Sequence, residues 1–153
     1  MAPGFHAYAS AAWLPARWGL EVTALVPVAP AQVCRGEGCA EISAGLVGGG
    51  ARLLVLPQRS RIRPELALGL AASIVHATGQ AQAPYAGVGS TVVAAAIYGR
   101  VTIAFALTRN ARIGLDVLGG SALPPPAVRF AGAEVGRWGG PFASLLLHGE
   151  VGF

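Results

Sequence analysis

Charge is scarce in this chain of 153 residues, and lysine is absent altogether. Charged residues make up 12% of the sequence and hydrophobic residues 54%, whereas soluble domains carry roughly 25% charged residues. All 11 basic residues are arginines, and the net charge is +4. A positive balance can favour nucleic acid, but these arginines are scattered and no aromatic stripe lies between them. The composition therefore predicts a surface that is not mainly in contact with water, and no nucleic-acid partner.

Long apolar runs are also lacking. The longest uncharged stretch, 66–99, is interrupted by two glutamines, Pro84 and several glycines, and the apolar stretch 91–107 contains Arg100. A membrane-spanning helix needs about 20 consecutive apolar residues, and an arginine near its centre is strongly unfavourable. The sequence therefore argues against helical membrane spans. Residues 1–4 also show neither the basic nor the apolar region of a secretory signal peptide.

Few groups of residues in the chain have the types and spacing that catalysis or ligand binding requires. Ser144 and His148 share one strand face, but the rise of a β-strand separates them by roughly 13 Å, too far for a nucleophile and its base. The glycines at 48–50 lack the spacing and the lysine of a phosphate-binding loop. We therefore expect no enzyme activity, and no catalytic residue, cofactor or metal site.

Only two cysteines occur, Cys34 and Cys39, and they bracket a short segment rich in glycine. No histidine or further cysteine lies close by in sequence, so a four-ligand zinc site is not expected. In an oxidising compartment, a local disulfide between Cys34 and Cys39 is expected. Two unpaired thiols are the alternative.

What the chain does have is an alternation of apolar and polar residues with a period of two, which predicts β-strands. It is clearest in the last twelve residues, where one face is apolar and the other carries Ser144, His148 and Glu150. We predict one all-β domain over residues 1–153. Its seven strands are expected near residues 5–13, 19–28, 41–56, 65–77, 92–108, 112–118 and 142–153.

The third of these segments breaks its own pattern. Ile42, Ala44 and Leu46 define an apolar face, and continuing the same phase would place Arg52 on that face. A β-bulge or glycine kink at residues 48–50 would restore the alternation. We therefore predict an irregularity there, with Arg52 on the polar face after it.

Odd-numbered and even-numbered connections between the predicted strands differ in length. The first, third and fifth, at residues 14–18, 57–63 and 109–111, are short. The fourth and sixth, at 80–91 and 121–141, are long and rich in proline and glycine, and the second is intermediate. Transmembrane barrels join their strands by short turns on one side and longer loops on the other. The parity therefore indicates an antiparallel up-and-down barrel.

The C-terminal segment resembles the closing strand of bacterial outer-membrane β-barrels, which ends on an aromatic residue with apolar residues at alternate upstream positions. Leu145, Leu147, Val151 and Phe153 occupy those positions here. The resemblance implies a porin-like transmembrane β-barrel of about seven to eight strands in the outer membrane of a Gram-negative bacterium. Its implied partners are outer-membrane lipid and the barrel assembly machinery, which reads these four residues as a signal.

The same resemblance implies an orientation. The short turns would be periplasmic and the long loops external. Trp13, Phe105, Leu107 and Phe153 would then lie outward near one rim, as in an aromatic girdle. The long loop at 121–141 carries three consecutive prolines and several apolar side chains, including Phe130 and Trp138. We expect it to form an ordered cap or to extend a hairpin, and to contact any external partner, whose identity the sequence does not specify.

A count of seven strands conflicts with the even number found in single-chain bacterial barrels. An N-terminally truncated chain that has lost its signal and at least one strand would explain both the count and residues 1–4. A miscounted strand, with 92–108 long enough to bend, would explain the count alone. We expect the truncated chain.

Charged residues on the polar face predict a charge network in the lumen, which Arg52 joins if the bulge is present. The other members are Glu21, Glu65, Arg100, Asp116 and Glu150. A turn near Asn110 places Arg100 and Asp116 close to direct opposition, so a cross-strand or diagonal ion pair is expected. In a barrel of about eight strands the interior is only just wide enough for side chains, so a plugged lumen is favoured over a conduction path.

Three functions follow from these observations. The first is a small outer-membrane barrel with a structural or surface-interaction role and a lumen plugged by side chains. The alternative is a pore or transporter for small solutes, if the full-length barrel has more strands. A more distant alternative is a soluble lipocalin-like β-barrel that binds an apolar ligand, in which the apolar face would turn inward.

Overall fold

The computed structural model describes residues 5–35, 38–81, 89–125, 127–130, 133–137 and 140–151. Every regular element in this part of the chain is a β-strand. The strands are β1 (Phe5–Trp13), β2 (Trp18–Ala29), β3 (Ala31–Arg35), β4 (Gly38–Leu54), β5 (Ile62–Ala81), β6 (Gly89–Ala106), β7 (Ala111–Leu123), β8 (Ala127–Phe130), β9 (Ala133–Arg137) and β10 (Pro141–Val151). Among these residues, no helix is long and apolar enough to cross a membrane.

The main sheet is antiparallel and follows the chain, in the order β1-β2-β4-β5-β6-β7-β10, and β3 pairs with the part of β4 beyond β2. The prediction of an all-β, up-and-down antiparallel arrangement is confirmed. Within the described residues no ladder joins β1 to β10, so the seven strands form an open half-barrel. Because direction alternates along seven strands, the two edge strands run parallel to each other.

The strands reach further than the alternation predicted. β5 extends to Ala81, β6 begins at Gly89 and β7 extends to Leu123, into segments predicted as loops. The intermediate connection around residues 34–40 is a hairpin between β3 and β4. Backbone pairing across neighbouring strands sustains these extensions where the local pattern is weak.

The predicted irregularity in β4 is wrong. β4 pairs with β5 in unbroken register from Gly38 opposite Ala81 to Leu54 opposite Glu65. Arg52 does face the interior, as predicted, but so do Ile42 and Leu46, which are buried. The interior has an apolar part as well as a charged part, so one strand can place leucine and arginine on the same face without a bulge.

The register shift occurs in the facing strand instead. Leu25 is opposite Leu46, and the next described ladder begins with Ala31 opposite Ile42. More residues of β2 and β3 than of β4 therefore span the same interval. Pro27 and Pro30 lie in it, and proline supplies no backbone donor to a ladder. The prolines therefore explain why the pairing is interrupted here.

The structure places apolar and charged side chains on opposite faces of the sheet, as the alternation indicates. Large apolar side chains cover its outer face, with Leu68 71% and Leu147 72% exposed, while Arg100 is 3% and Asp116 0% exposed. We call the following exposed residues the apolar belt: Leu68, Leu70, Val101, Ile103, Leu115, Val117, Leu145 and Leu147. The pleat of each strand alternates outward and inward side chains, which separates the two sets.

The two ends of the half-barrel differ. The short-turn end carries the turns at 14–17, 55–61 and 107–110, and the opposite end carries the longer connections. An interior apolar cluster of Leu25, Leu46, Tyr98, Leu118 and Leu146 lies on the far side of the buried charges from the short-turn end. The ring of Tyr98 packs against a glycine of the neighbouring strand, since a Cβ added to Gly69 would meet this ring.

Three of the four residues predicted to lie outward near one rim do so. Trp13, Phe105 and Leu107 are exposed at the short-turn end, and Trp18 joins them there. Phe153 lies outside the described residues, as do residues 1–4 and Trp138. The apolar side chains of Leu145, Leu147 and Val151 share the outer face of β10.

Candidate functional site

Seven charged side chains from six strands point into the half-barrel. They are Glu21 on β2, Arg52 on β4, Arg63 and Glu65 on β5, Arg100 on β6, Asp116 on β7 and Glu150 on β10. All but Glu150 are buried, and the side chain of Glu150 is 25% exposed. Charged groups withdrawn from water must be paired, and the structure pairs them in two separate clusters.

The first group, the Arg100 cluster, joins β1, β2, β6, β7 and β10. Arg100 forms an ion pair with Glu21, 79 residues away in the chain. It also donates a hydrogen bond to the Tyr8 hydroxyl at 2.5 Å. Its guanidinium carbon lies 5.6 Å from the Tyr8 ring centroid, within the range of a cation–π contact. Arg100 therefore links the edge strand β1 to the centre of the sheet.

The predicted pair of Arg100 and Asp116 is confirmed. Arg100 Nη1 lies 3.6 Å from Asp116 Oδ2, and the register places the two residues diagonally, with Thr102 directly opposite Asp116. The Thr102 hydroxyl donates to the other carboxylate oxygen of Asp116. Diagonal neighbours on one sheet face are within reach of a long side chain such as arginine.

His148 completes this cluster from β10. Its Nδ1 lies 2.8 Å from Asp116 Oδ2, in a contact without the angles of an aligned hydrogen bond. The rings of His148 and Tyr8 meet edge to face, with centroids 6.3 Å apart. The two edge strands thus touch through side chains inside the half-barrel, although no backbone ladder joins them.

The second group, the Glu65 cluster, contains Arg52, Arg63, Glu65 and Glu150. Arg52 Nη2 lies 2.5 Å from Glu65 Oε2 and 3.5 Å from Glu150 Oε1. Arg63 forms ion pairs with both carboxylates. Since β5 and β10 are not neighbours in the sheet, these contacts cross the interior near the short-turn end.

The structure brings all the predicted network residues inside, but it divides them. Glu21, Arg100 and Asp116 belong to one cluster, and Glu65 and Glu150 belong to the other. Arg100 is therefore the centre of one cluster and not of the whole lumen. Sequence reasoning did not include Arg63 in the network, because it placed this residue in a turn. The sequence did contain a signal for its inclusion, since Arg63 lies two residues before Glu65 and the two side chains therefore share a strand face.

The network also contains polar residues without formal charge that the prediction did not include. They are Tyr8, Tyr98, Thr102 and His148. Tyr98 donates from its hydroxyl to Glu21 at 3.4 Å. Tyr98, Thr102 and His148 each lie an even number of residues from a charged residue of the same strand, so the alternation indicated which face they share but not what they contact. Tyr8 lies on β1, which has no charged residue.

A cavity of about 910 Å³ opens at the short-turn end. Five arginines and Glu150 contribute to its lining, together with polar residues of the turns at 55–61 and 107–110. We call this cavity the vestibule, and its arginines are Arg59, Arg61, Arg63, Arg109 and Arg112. The pair of Arg63 and Glu150 belongs both to the vestibule and to the Glu65 cluster.

The predicted cysteine pair lies at the opposite end. Cys34 and Cys39 are direct partners in the ladder between β3 and β4. Cys39 is disulfide-bonded, and the sequence has two cysteines. This position crosslinks the end of a hairpin and lies away from both charge clusters.

Within the described residues, no group of three or more His, Cys, Asp or Glu side chains has the arrangement to hold a metal ion. No known protein family, curated protein or solved structure matches this chain.

Proposed function

We propose that this protein is a small bacterial outer-membrane β-barrel with a structural or surface-interaction role, and that side chains plug its narrow lumen. The observation that carries the proposal is the inverted distribution of polarity. Large apolar side chains are exposed around the sheet, while the charged side chains of the same strands are buried. Lipid on the outside would remove the apolar belt from water, at about 25 cal/mol per Å².

The belt is too continuous for an ordinary soluble surface. Its members lie on the neighbouring strands β5, β6, β7 and β10, whereas soluble monomers rarely expose contiguous apolar patches beyond a few hundred Å². A soluble barrel that binds an apolar ligand needs the opposite arrangement, with an apolar interior. The paired charges inside this half-barrel therefore support the membrane proposal over the lipocalin-like alternative.

The plugged lumen is supported by the two clusters. Their ion pairs connect strands that are not neighbours, such as β2 with β6 and β5 with β10. Removing one partner of a buried ion pair costs about 3–5 kcal/mol, so these side chains are not free to move aside for a solute. This argument favours a structural lumen over a pore.

A membrane barrel also requires that the edges of the sheet be covered. Unpaired backbone groups in the hydrocarbon region cost several kcal/mol each, and β1 and β10 have no ladder between them. The proposal therefore requires these two edges to be covered, either by direct pairing of β1 with β10, whose Tyr8 and His148 rings already touch, or by a further strand.

Refolding into detergent tests the proposal directly. We expect the chain, diluted from urea into a non-ionic detergent, to give a folded form that migrates differently from the boiled form on a gel. In planar bilayers we expect no single-channel conductance, because the two clusters of ion pairs cross the interior. A protein that is folded and monomeric without detergent would contradict the membrane proposal, and stable conductance steps would favour the pore instead.

The hairpin of β8 and β9 provides a second test. It forms a separate two-stranded sheet that does not pair with the main sheet. We expect deletion of residues 127–137, replaced by a short glycine–serine linker, to leave the heat-modifiable folded form intact, because no main-sheet ladder depends on these residues. Loss of that form in the deletion variant would place the hairpin in the core of the fold.

A further inference from the structure

The net charge of the chain is concentrated at the vestibule. Five of the 11 arginines and one of the seven acidic residues line it, a formal excess of four positive charges. This excess equals the net charge of +4 of the whole chain. The six remaining arginines are matched in number by six acidic residues, so the rest of the molecule is formally neutral.

The vestibule is built from two turns that the structure ties together. Arg112 of β7 donates to the backbone oxygen of Ser60 at 3.0 Å and to that of Gln58 at 2.8 Å. These bonds connect the 107–110 hairpin to the 55–61 turn. At the inner end, Glu65 and Glu150 hold Arg63. Two of the five guanidinium groups are therefore fixed before any ligand binds.

The other three guanidinium groups are available. The side chains of Arg59, Arg61 and Arg109 are exposed and make no hydrogen bond or ion pair within the part of the chain that the structure describes. Several like charges around one cavity repel each other unless an anion lies between them. A guanidinium presents a planar fork of donors that fits the oxygens of a phosphate in a bidentate manner.

We propose that the vestibule is a binding site for a small, multiply charged anion that carries phosphate groups. Its cavity of about 910 Å³ is within the usual range for small-ligand sites, about 300–1,000 Å³. An excess of four positive charges fits an anion of several charges better than a single carboxylate. The inference depends on the geometry of the turns and not on the membrane location.

The same chemistry has two sources, a free polyphosphate or the headgroup of an anionic lipid. The aromatic residues Trp13, Trp18 and Phe105 lie at the same end of the half-barrel, which places the vestibule near the level expected for headgroups under the proposed function. Separate measurements with the two sources distinguish them.

The test uses the full chain refolded in an uncharged detergent. Inorganic pyrophosphate is titrated by calorimetry, and a phosphatidate in mixed micelles is titrated by tryptophan fluorescence. The variant replaces Arg59, Arg61 and Arg109 by glutamine together. The matched control is Arg17→Gln, an exposed arginine in the turn at 14–17 of the same end that does not line the vestibule.

We expect saturable binding of at least one probe. The triple variant should bind the probe about 100-fold more weakly. Each lost charge-assisted hydrogen bond weakens binding by about tenfold, and solvent screening of these exposed arginines reduces the combined loss. Arg17→Gln should change it by less than about twofold. Binding of pyrophosphate would identify the ligand as a free phosphate compound. Binding of phosphatidate alone would identify it as a lipid headgroup.

Three results would overturn the proposal: no saturable binding of either probe, equal loss in Arg17→Gln and the triple variant, or equally tight binding of citrate as a carboxylate control. Gel mobility before and after boiling shows whether each variant is folded. If the triple variant does not fold, Arg109→Gln alone is compared with Arg17→Gln, with about a tenfold loss expected. Equal affinity of those two single variants would equally overturn the proposal.

Discussion

Val117→Arg should lower the free energy of unfolding by about 2–4 kcal/mol in detergent or vesicles, as measured by urea titration. Val117 is exposed on the apolar belt near the middle of β7. Under the proposed function its side chain contacts lipid near the midplane, where an arginine is strongly unfavourable. In a soluble protein, the same change on an exposed surface would alter stability by no more than about 0.5 kcal/mol.

Ala16→Arg is the matched control for this prediction, because Ala16 is exposed in the short turn at 14–17. It adds the same side chain outside the belt and should change the free energy of unfolding by no more than about 0.5 kcal/mol. If Val117→Arg is no more destabilising than Ala16→Arg, the belt does not face lipid, and the proposed membrane barrel is wrong.

Arg100→Leu should lower the free energy of unfolding by about 3–5 kcal/mol. The change removes the only arginine in the Arg100 cluster and leaves the buried Glu21 carboxylate without its ion pair. It also removes the contact of Arg100 with Asp116 and its hydrogen bond to Tyr8. The measurement is again unfolding in urea, followed by tryptophan fluorescence.

A second substitution separates the effect of charge from that of packing. Arg100→Leu combined with Glu21→Leu should recover a large part of the loss, because replacing both partners of a buried pair by apolar side chains is often nearly neutral. Arg17→Leu, at an exposed position, serves as the control and should have little effect. A single variant as stable as this control would show that the Arg100 cluster does not hold the lumen together.

Much of the architecture could be predicted from local pattern alone. The alternation along β6 puts Tyr98, Arg100 and Thr102 on one face and Val101 and Ile103 on the other, and the structure agrees. Since each residue of a strand reverses the side-chain direction, a few clear positions assign the whole strand. The short turn after β6 also placed Arg100 near Asp116, because a tight hairpin determines register.

Predictions that assumed each strand face to be entirely apolar or entirely polar were less successful. Ile42 and Leu46 were assigned to the outer face because they are apolar, which required a bulge before Arg52. The structure buries all three on one face, since the interior changes from apolar to charged along its length. Arg63 was missed because it lies near the start of β5, where turn residues mask the alternation.

The class of the fold, the pairing order of the strands and the side of nearly every residue follow from local pattern, because a period of two and short connections specify them. Which charges meet depends on the three-dimensional arrangement of the strands. Two strands, β4 and β5, lie between Glu21 on β2 and Arg100 on β6. Arg63 on β5 likewise meets Glu150 on β10, although β5 and β10 are not neighbours in the sheet. Such contacts depend on how strongly the sheet curls and how its strands are staggered, and no local pattern encodes either quantity. The same curling brings two separate turns together and thereby forms the vestibule.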